Sequence, residues 1–224
     1  MSLELRDIRK HYGKKEVLRS VSLTAERGEV AALLGLNGSG KSTLLRILAG
    51  VLKSEGGQFL WEGRDLLRDR SALEAAVAYV PQGTPLVTEL SALDNLRLWY
   101  SKDALNASLD GGMLRELGVG DFLKTRVSEL SGGMRKRLSI GCAIAGSPEL
   151  LLLDEPGAAL DLAAQARLRD YYEVFRAAGG TILIATHDPR ELEQCSRSWL
   201  LKNGAAVPYV YDGDTDALTR ELEA

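Results

Sequence analysis

The sequence is poor in the residues that staple or ligate. Among 224 residues there are two cysteines, Cys142 and Cys195, and two histidines, His11 and His187. Two thiols are too few for a disulfide framework, and neither has the close Cys/His spacing of a zinc site. Each is expected as a small buried apolar residue in a reducing compartment. An excess of positive charge is also missing, because 28 Lys and Arg stand against 31 Asp and Glu and leave a formal net charge of -3. That balance exerts no general pull on phosphate backbones, and no nucleic-acid partner is expected. The one basic cluster, Arg135-Lys136-Arg137, is short enough to be expected as a solvated helix face. Long apolar runs are absent as well: "VAALLGL" and "LLLL" fall far short of the roughly 20 residues of a membrane-spanning helix. The polar start "MSLELRDIRK" does not resemble a signal peptide, so a cytosolic location is expected.

The pattern that is present has two periods. "LELRDI", "VLRSVSLTA" and "GGQFLWEG" alternate apolar and polar residues between glycine turns, which predicts antiparallel strands with one wet face near the N-terminus. "EVAALLG", "ELLLLDE" and "TILIAT" are short and almost wholly apolar, and each precedes helix-like sequence. Strands buried on both faces of a parallel sheet have this composition, so an α/β core is expected. From about 83 to 147 helical spacing takes over. Ser91 and Asp94 suggest a capping box ahead of Leu93, Leu96 and Tyr100, and Met134, Leu138 and Cys142 recur at i, i+4 and i+8. This predicts a helical insertion in the core. Further on, Asp188, Pro189 and Glu191 fit N-cap, N1 and N3 of a helix; Asn203-Gly204 is a hairpin signal, and a short helix should end the chain.

The chemistry gathers at strand ends. "GLNGSGKST" (Gly35, Leu36, Asn37, Gly38, Ser39, Gly40, Lys41, Ser42, Thr43) fits G-x-x-x-x-G-K-[ST] between a buried strand and an amphipathic helix. Glycines allow the backbone to wrap a phosphate with its N–H groups, Lys41 supplies a point charge for the β and γ phosphates, and Ser42 is placed for Mg²⁺. "ELLLLDEP" ends a buried strand in two carboxylates, with Asp154 able to meet the Mg²⁺ shell and Glu155 the γ-phosphate. A helix N-cap followed by an exposed acid is the alternative for that pair. "TILIATHDP" ends another buried strand at His187, a candidate γ-phosphate contact. Gln82 in "AYVPQG" would be an ordinary loop amide if it stood alone; in this company it becomes a candidate Mg²⁺ ligand or water-orienting group. Tyr12 offers a ring on which adenine could stack, although packing is the better explanation of a tyrosine taken by itself. His11, in a polar turn, carries no assignment.

"LSGGMRKRL", Leu130 to Leu138, makes the set specific. In the order phosphate loop, Gln82, "LSGGMRKRL", "LLLLDEP", "GAALD" and His187, the chain resembles the nucleotide-binding subunit of ABC transporters from about Leu3 to Gly204. The pieces match the family's Walker A, Q-loop, signature, Walker B, D-loop and H-loop, and Tyr12 matches its aromatic A-loop. The resemblance implies one nucleotide-binding domain over 1–224 with a P-loop NTPase core, a mostly parallel sheet, an N-terminal antiparallel β subdomain and an inserted α-helical subdomain over about 83–147. It also implies that Ser131, Gly132 and Gly133 close on ATP held by a second ATPase subunit, identical or different, with Asp161 at the same interface. Glu155 would polarise the attacking water. ATP-driven dimer closure and hydrolysis-driven opening would then power transport through a separate integral membrane permease, with the chain peripheral on the cytoplasmic face. Within the family the compact length is most similar to ABC-2, often export-type, systems. Leu36, Gly157 and the run Met134–Arg137 depart from the common Pro, Thr and Gln-rich patterns. A soluble, non-transport ABC ATPase acting on an assembly scaffold is the competing reading, and co-purification with a polytopic membrane protein separates the two.

Overall fold

The computed structural model describes residues 2–158 and 160–223. β1 (Leu3–Tyr12) and β2 (Lys15–Ala25) pair antiparallel and bury Leu3, Leu5 and Ile8 against Leu18, Val21, Leu23 and Ala25. Leu5 and Ile8 are three apart, which strict alternation forbids. The register shifts between them at Asp7, whose φ of 50° makes a bulge that returns Ile8 to the buried face. Ser22 Oγ accepts the Asp7 N–H at 3.0 Å and Ser20 Oγ donates to the Asp7 carboxylate at 2.6 Å, so local polar groups hold the bulge.

β3 (Val30–Leu34) is buried along its whole length and runs through the glycine loop into α1 (Lys41–Leu48). β4 (Gly56–Trp61) and β5 (Arg64–Asp65) extend the antiparallel layer beside β1. α2 (Arg70–Ala76) leads into β6 (Val77–Val80), which stops at Pro81, a residue with no N–H to continue a ladder. The insertion follows: α3 (Ala92–Arg97), α4 (Lys102–Gly111), α5 (Met113–Glu116) and α6 (Gly132–Ala143). Ser91, Ser101 and Ser131 each accept a backbone N–H three residues on and so cap α3, α4 and α6. The Ser91 hydroxyl also donates to Asp94 at 2.6 Å.

β7 (Leu150–Asp154), α7 (Leu162–Ala177), β8 (Thr181–Thr186), α8 (Pro189–Leu192) and β9 (Arg197–Lys202) complete the α/β core. β10 (Ala205–Tyr209) returns through Asn203 and Gly204 at φ 51° and 76°, the left-handed pair of a type I′ turn, and α9 (Thr215–Glu223) closes over β3 through Leu218. The strand order is β5-β4-β1-β2-β10-β9-β3-β8-β7-β6, with β9, β3, β8, β7 and β6 mutually parallel. β7 and β8 are buried at every position, and each enclosed leucine contributes about 1.5–3 kcal/mol relative to exposure. Registers Leu34↔Thr186 and Asp154↔Ala185 bring the carboxyl ends of β3, β7 and β8 side by side, the edge where open α/β sheets take ligands.

The basic run is a correction. It is not a solvated face: Lys136 is 4% exposed and donates to two carbonyls, while Arg135 donates to Leu130 O and Arg137 to Leu117 O and Gly118 O. Arg137 also lies 5.1 Å over the Phe122 ring. The loops around the start of α6 leave carbonyls without helical or sheet partners, and three consecutive long cations satisfy them.

Candidate active site

The loop between β3 and α1 is shaped by what its glycines omit. A Cβ at Gly40 (φ 111°) would come within 2.9 Å of Leu18 Cδ2 and 3.0 Å of Val17 Cγ1, so β2 lies directly over the loop. A Cβ at Gly35 would come within 2.5 Å of Ser39 Oγ and 2.8 Å of Leu201 O. Gly35 and Ser39 therefore pack toward the hairpin side. Leu36, Asn37, Gly38, Gly40, Lys41, Ser42 and Thr43 line a cleft of about 420 Å³ together with Val17, Gln82 and Glu155.

Lys41 is 5% exposed; its Nζ donates to Gly35 O at 2.7 Å and Leu36 O at 3.4 Å and stands 3.4 Å from Glu155 Oε1. Consecutive strand residues point to opposite faces, yet Asp154 and Glu155 both reach the loop. The reason is Glu155 itself, whose backbone adopts φ 48° while its N–H stays bonded to Ala185 O at 2.8 Å. A left-handed non-glycine residue at the end of a buried strand stores strain that the surrounding sheet holds in place. Asp154 then meets Ser42 Oγ at 3.0 Å, and Glu155 meets Lys41 on one side and His187 Nδ1, 2.8 Å from Oε2, on the other.

Two groups at the site escape sequence reasoning. Tyr79 donates its hydroxyl to the second Asp154 oxygen at 3.2 Å, and burial, with Asp154 beside it, pushes the phenol up to about 12. Its position three residues before Gln82 was the available signal, but only the β6–β7 pairing brings it to the carboxylate. Val17 supplies an apolar wall where Tyr12 was expected to; Tyr12 is 49% exposed, at the tip of the β1–β2 hairpin, and is outside the cleft lining. Glu191 is a third buried acid, raised to about 7 chiefly by burial. A Cβ at Gly157 would come within 2.6 Å of its Oε1, so a larger residue there would require the Glu191 carboxylate to shift.

Ser131, Gly132, Gly133 and Asp161 do not line the cleft. Ser131 and Gly132 are exposed at the start of α6, and Gly133 is buried against α7, where a Cβ would come within 2.6 Å of Ala164 Cβ. Asp161 caps α7, accepting the Ala164 N–H at 2.8 Å. Ser42 and Asp154 present hard oxygens, with the Gln82 amide in the same cleft, a donor set that suits a small divalent cation sharing phosphate oxygens. Among the described residues no group of three or more His, Cys, Asp or Glu could hold a metal ion. A larger cleft of about 480 Å³, at the opposite ends of the strands near Glu149 and Gly180, carries none of these groups. No helix among the described residues is long and apolar enough to cross a membrane.

Residues 18–158 match the family model described as ABC transporter. The lantibiotic transport ATP-binding protein SrtF of Streptococcus pyogenes is 35% identical over 191 residues, 85% of this chain and 82% of that protein. The lipoprotein-releasing system ATP-binding protein LolD of Porphyromonas gingivalis is 31% identical, covering 91% and 98%. A solved ATP-binding subunit of an ABC transporter superposes over the full length of both chains with a TM-score of 0.86 at 29% identity.

Proposed function

The chain belongs to the ABC transporter family as an ATP-binding subunit, an ATPase coupled to transport, and from this premise we propose roles for its site residues and partners. ATP places its phosphates in the Gly35–Thr43 loop, with Lys41 as counter-charge. A water attacks the γ-phosphorus in line, Glu155 takes its proton, and the bond to the bridging oxygen breaks with its electron pair going to ADP, leaving inorganic phosphate. His187 holds the Glu155 carboxylate in orientation and touches the γ-phosphate. The single observation that carries this reading is that Lys41, Glu155 and His187 form one contiguous chain of contacts at the aligned strand ends. Ser42, Asp154 and Gln82 hold Mg²⁺, which neutralises β and γ oxygens when bound. Tyr79 orients Asp154, so Tyr79→Phe is expected to leave ATP affinity unchanged and to raise the Mg²⁺ concentration for half-maximal turnover about tenfold. A Mg²⁺ titration with the wild-type midpoint would remove Tyr79 from that role.

The signature start is exposed and lies outside the cleft, which supports its use in trans. Ser131, Gly132 and Gly133, with free helix N-terminal N–H groups, complete the site of a second ATPase subunit, and Asp161 faces the same partner. The permease docks beside Gln82. A groove of about 280 Å³ opens there between β6 and α6, lined in part by Pro81, Leu86, Trp99 and Cys142, and Trp99 is 66% exposed at its rim. An exposed aromatic over an apolar groove is the expected anchor for a cytoplasmic segment of a membrane subunit, holding this chain on the cytoplasmic face. The tagged chain isolated from its own cells should bring down a polytopic membrane protein, and Trp99→Asp should lose most of it while basal ATP hydrolysis stays within about twofold. Recovery of only soluble scaffold proteins would favour the non-transport alternative.

A further inference from the structure

Lys136 makes the polar contacts by which the α6 basic run reaches the α/β core. Arg135 and Arg137 bond carbonyls of Leu130, Leu117 and Gly118, all within the helical insertion. Lys136 Nζ instead crosses to the loop that follows β6, donating to Pro81 O at 3.2 Å and Gln82 O at 3.1 Å. It is 4% exposed, and burial holds its ammonium below its ordinary range although Asp154 and Glu191 pull the other way. A lysine stem is long enough to carry its charge to water, so an ammonium kept inside on two neutral carbonyls is a costly arrangement that needs compensation by geometry.

Geometry supplies one. Lys136 is the fifth residue of α6, one turn from the Ser131 cap and the exposed N–H groups of Gly132. Its acceptors are the last carbonyls before and at Gln82, just past the end of β6, whose partner β7 ends in Asp154. One side chain thus ties the backbone of the residue that faces the chain's own nucleotide to the helix start that faces the partner's. We propose that Lys136 is a positioning residue that makes Gln82 and the Ser131–Gly133 helix start move as one body, so that nucleotide held in a chain's own cleft sets the element it offers to its partner. This rests on the roles given above to Gln82 and to the signature start. It differs from them in placing the link in one buried hydrogen-bonded ammonium.

The test compares Lys136→Met, which keeps the buried stem and removes the donors, with Lys136→Gln, which keeps a donor one atom shorter. Lys136→Met is expected to bind ATP with wild-type affinity and to turn over about tenfold more slowly. Hydrogen exchange would be followed with and without ATP, at a concentration where light scattering shows the chain monomeric in both, in peptides covering residues 79–90 and 130–137. ATP should slow exchange in both segments of the wild-type protein and in the 79–90 segment alone of Lys136→Met. Lys136→Gln should recover at least about half of the turnover and the linked response. The proposal is overturned if Lys136→Met turns over like wild type, if its ATP affinity falls by the same factor as its turnover, or if Gln performs no better than Met. If the Met protein does not fold, Lys136→Gln and Lys136→Arg decide: an ATP response of the 130–137 segment weaker in Lys136→Gln than in Lys136→Arg, with the 79–90 response equal in both, supports the link, and equal responses of the 130–137 segment in the two overturn it. A wild-type protein that fails to hydrolyse ATP in the same assay would instead contradict the functional reading.

Discussion

The Glu155→Gln protein should bind ATP about as tightly as wild type and lose about 10²- to 10⁴-fold in kcat, the usual worth of a positioned base. Glutamine keeps the shape of Glu155 and one acceptor oxygen, but it presents an amide N–H in place of the second oxygen beside Lys41 and His187 and cannot take a proton. The left-handed backbone at this position tolerates glutamine as readily as glutamate, so folding should be little changed. With hydrolysis blocked, the bridging γ-phosphate persists. Light scattering after size exclusion should then show a dimer with ATP and a monomer without it. Turnover at the wild-type rate would remove Glu155 from the base role. A monomer in both conditions, with ATP binding confirmed separately, would mean that the partner ATPase is a different chain or that the permease is required for closure.

Two inactive variants should restore each other. Lys41→Ala removes the ammonium that holds the loop carbonyls and faces Glu155, and it should lose ATP binding by about 10²-fold, with some loss of stability because Gly35 O and Glu155 lose a buried partner. Ser131→Arg changes an exposed residue outside the cleft; it should bind ATP normally and hydrolyse almost none, because the new side chain fills the space where the partner's phosphate would sit. In a mixed dimer, the cleft of the Ser131→Arg chain faces the intact α6 start of the Lys41→Ala chain. With random pairing, half of the dimers are mixed and each has one whole site, so an equal mixture should reach about a quarter of wild-type ATPase activity. A mixture no better than either variant alone would argue against two half-sites per chain when wild-type subunits form the ATP-dependent dimer.

Much of this was legible in the chain because the responsible physics is local. Runs such as "LLLLD" and "TILIAT" have the length and composition of strands with two covered faces, and the glycine loop, Asn203-Gly204, Ser131 and Asp188 carry their turn and cap chemistry within a few residues. The order of motifs that identifies the family is likewise a linear property. The basic run was misread for the same reason. Nothing near Lys136 in sequence shows that Pro81 and Gln82, more than fifty positions away, leave carbonyls to be satisfied.

The sequence by itself determined the strand and helix periods, the phosphate loop, the two carboxylates and the order of motifs, since each rests on spacing or on a short run of residues. Tertiary structure alone decided that Asp154 and Glu155 face the loop together, that His187 joins Glu155, that Tyr79 bonds Asp154 and Val17 walls the cleft, that Gly133 and Gly157 leave room for Ala164 and Glu191, and that a lysine bonds the signature helix to Gln82. Those are contacts between strands and helices distant in the chain. Strand order, register and burial set them, and no local run of residues encodes which carbonyl or carboxylate a given side chain will meet.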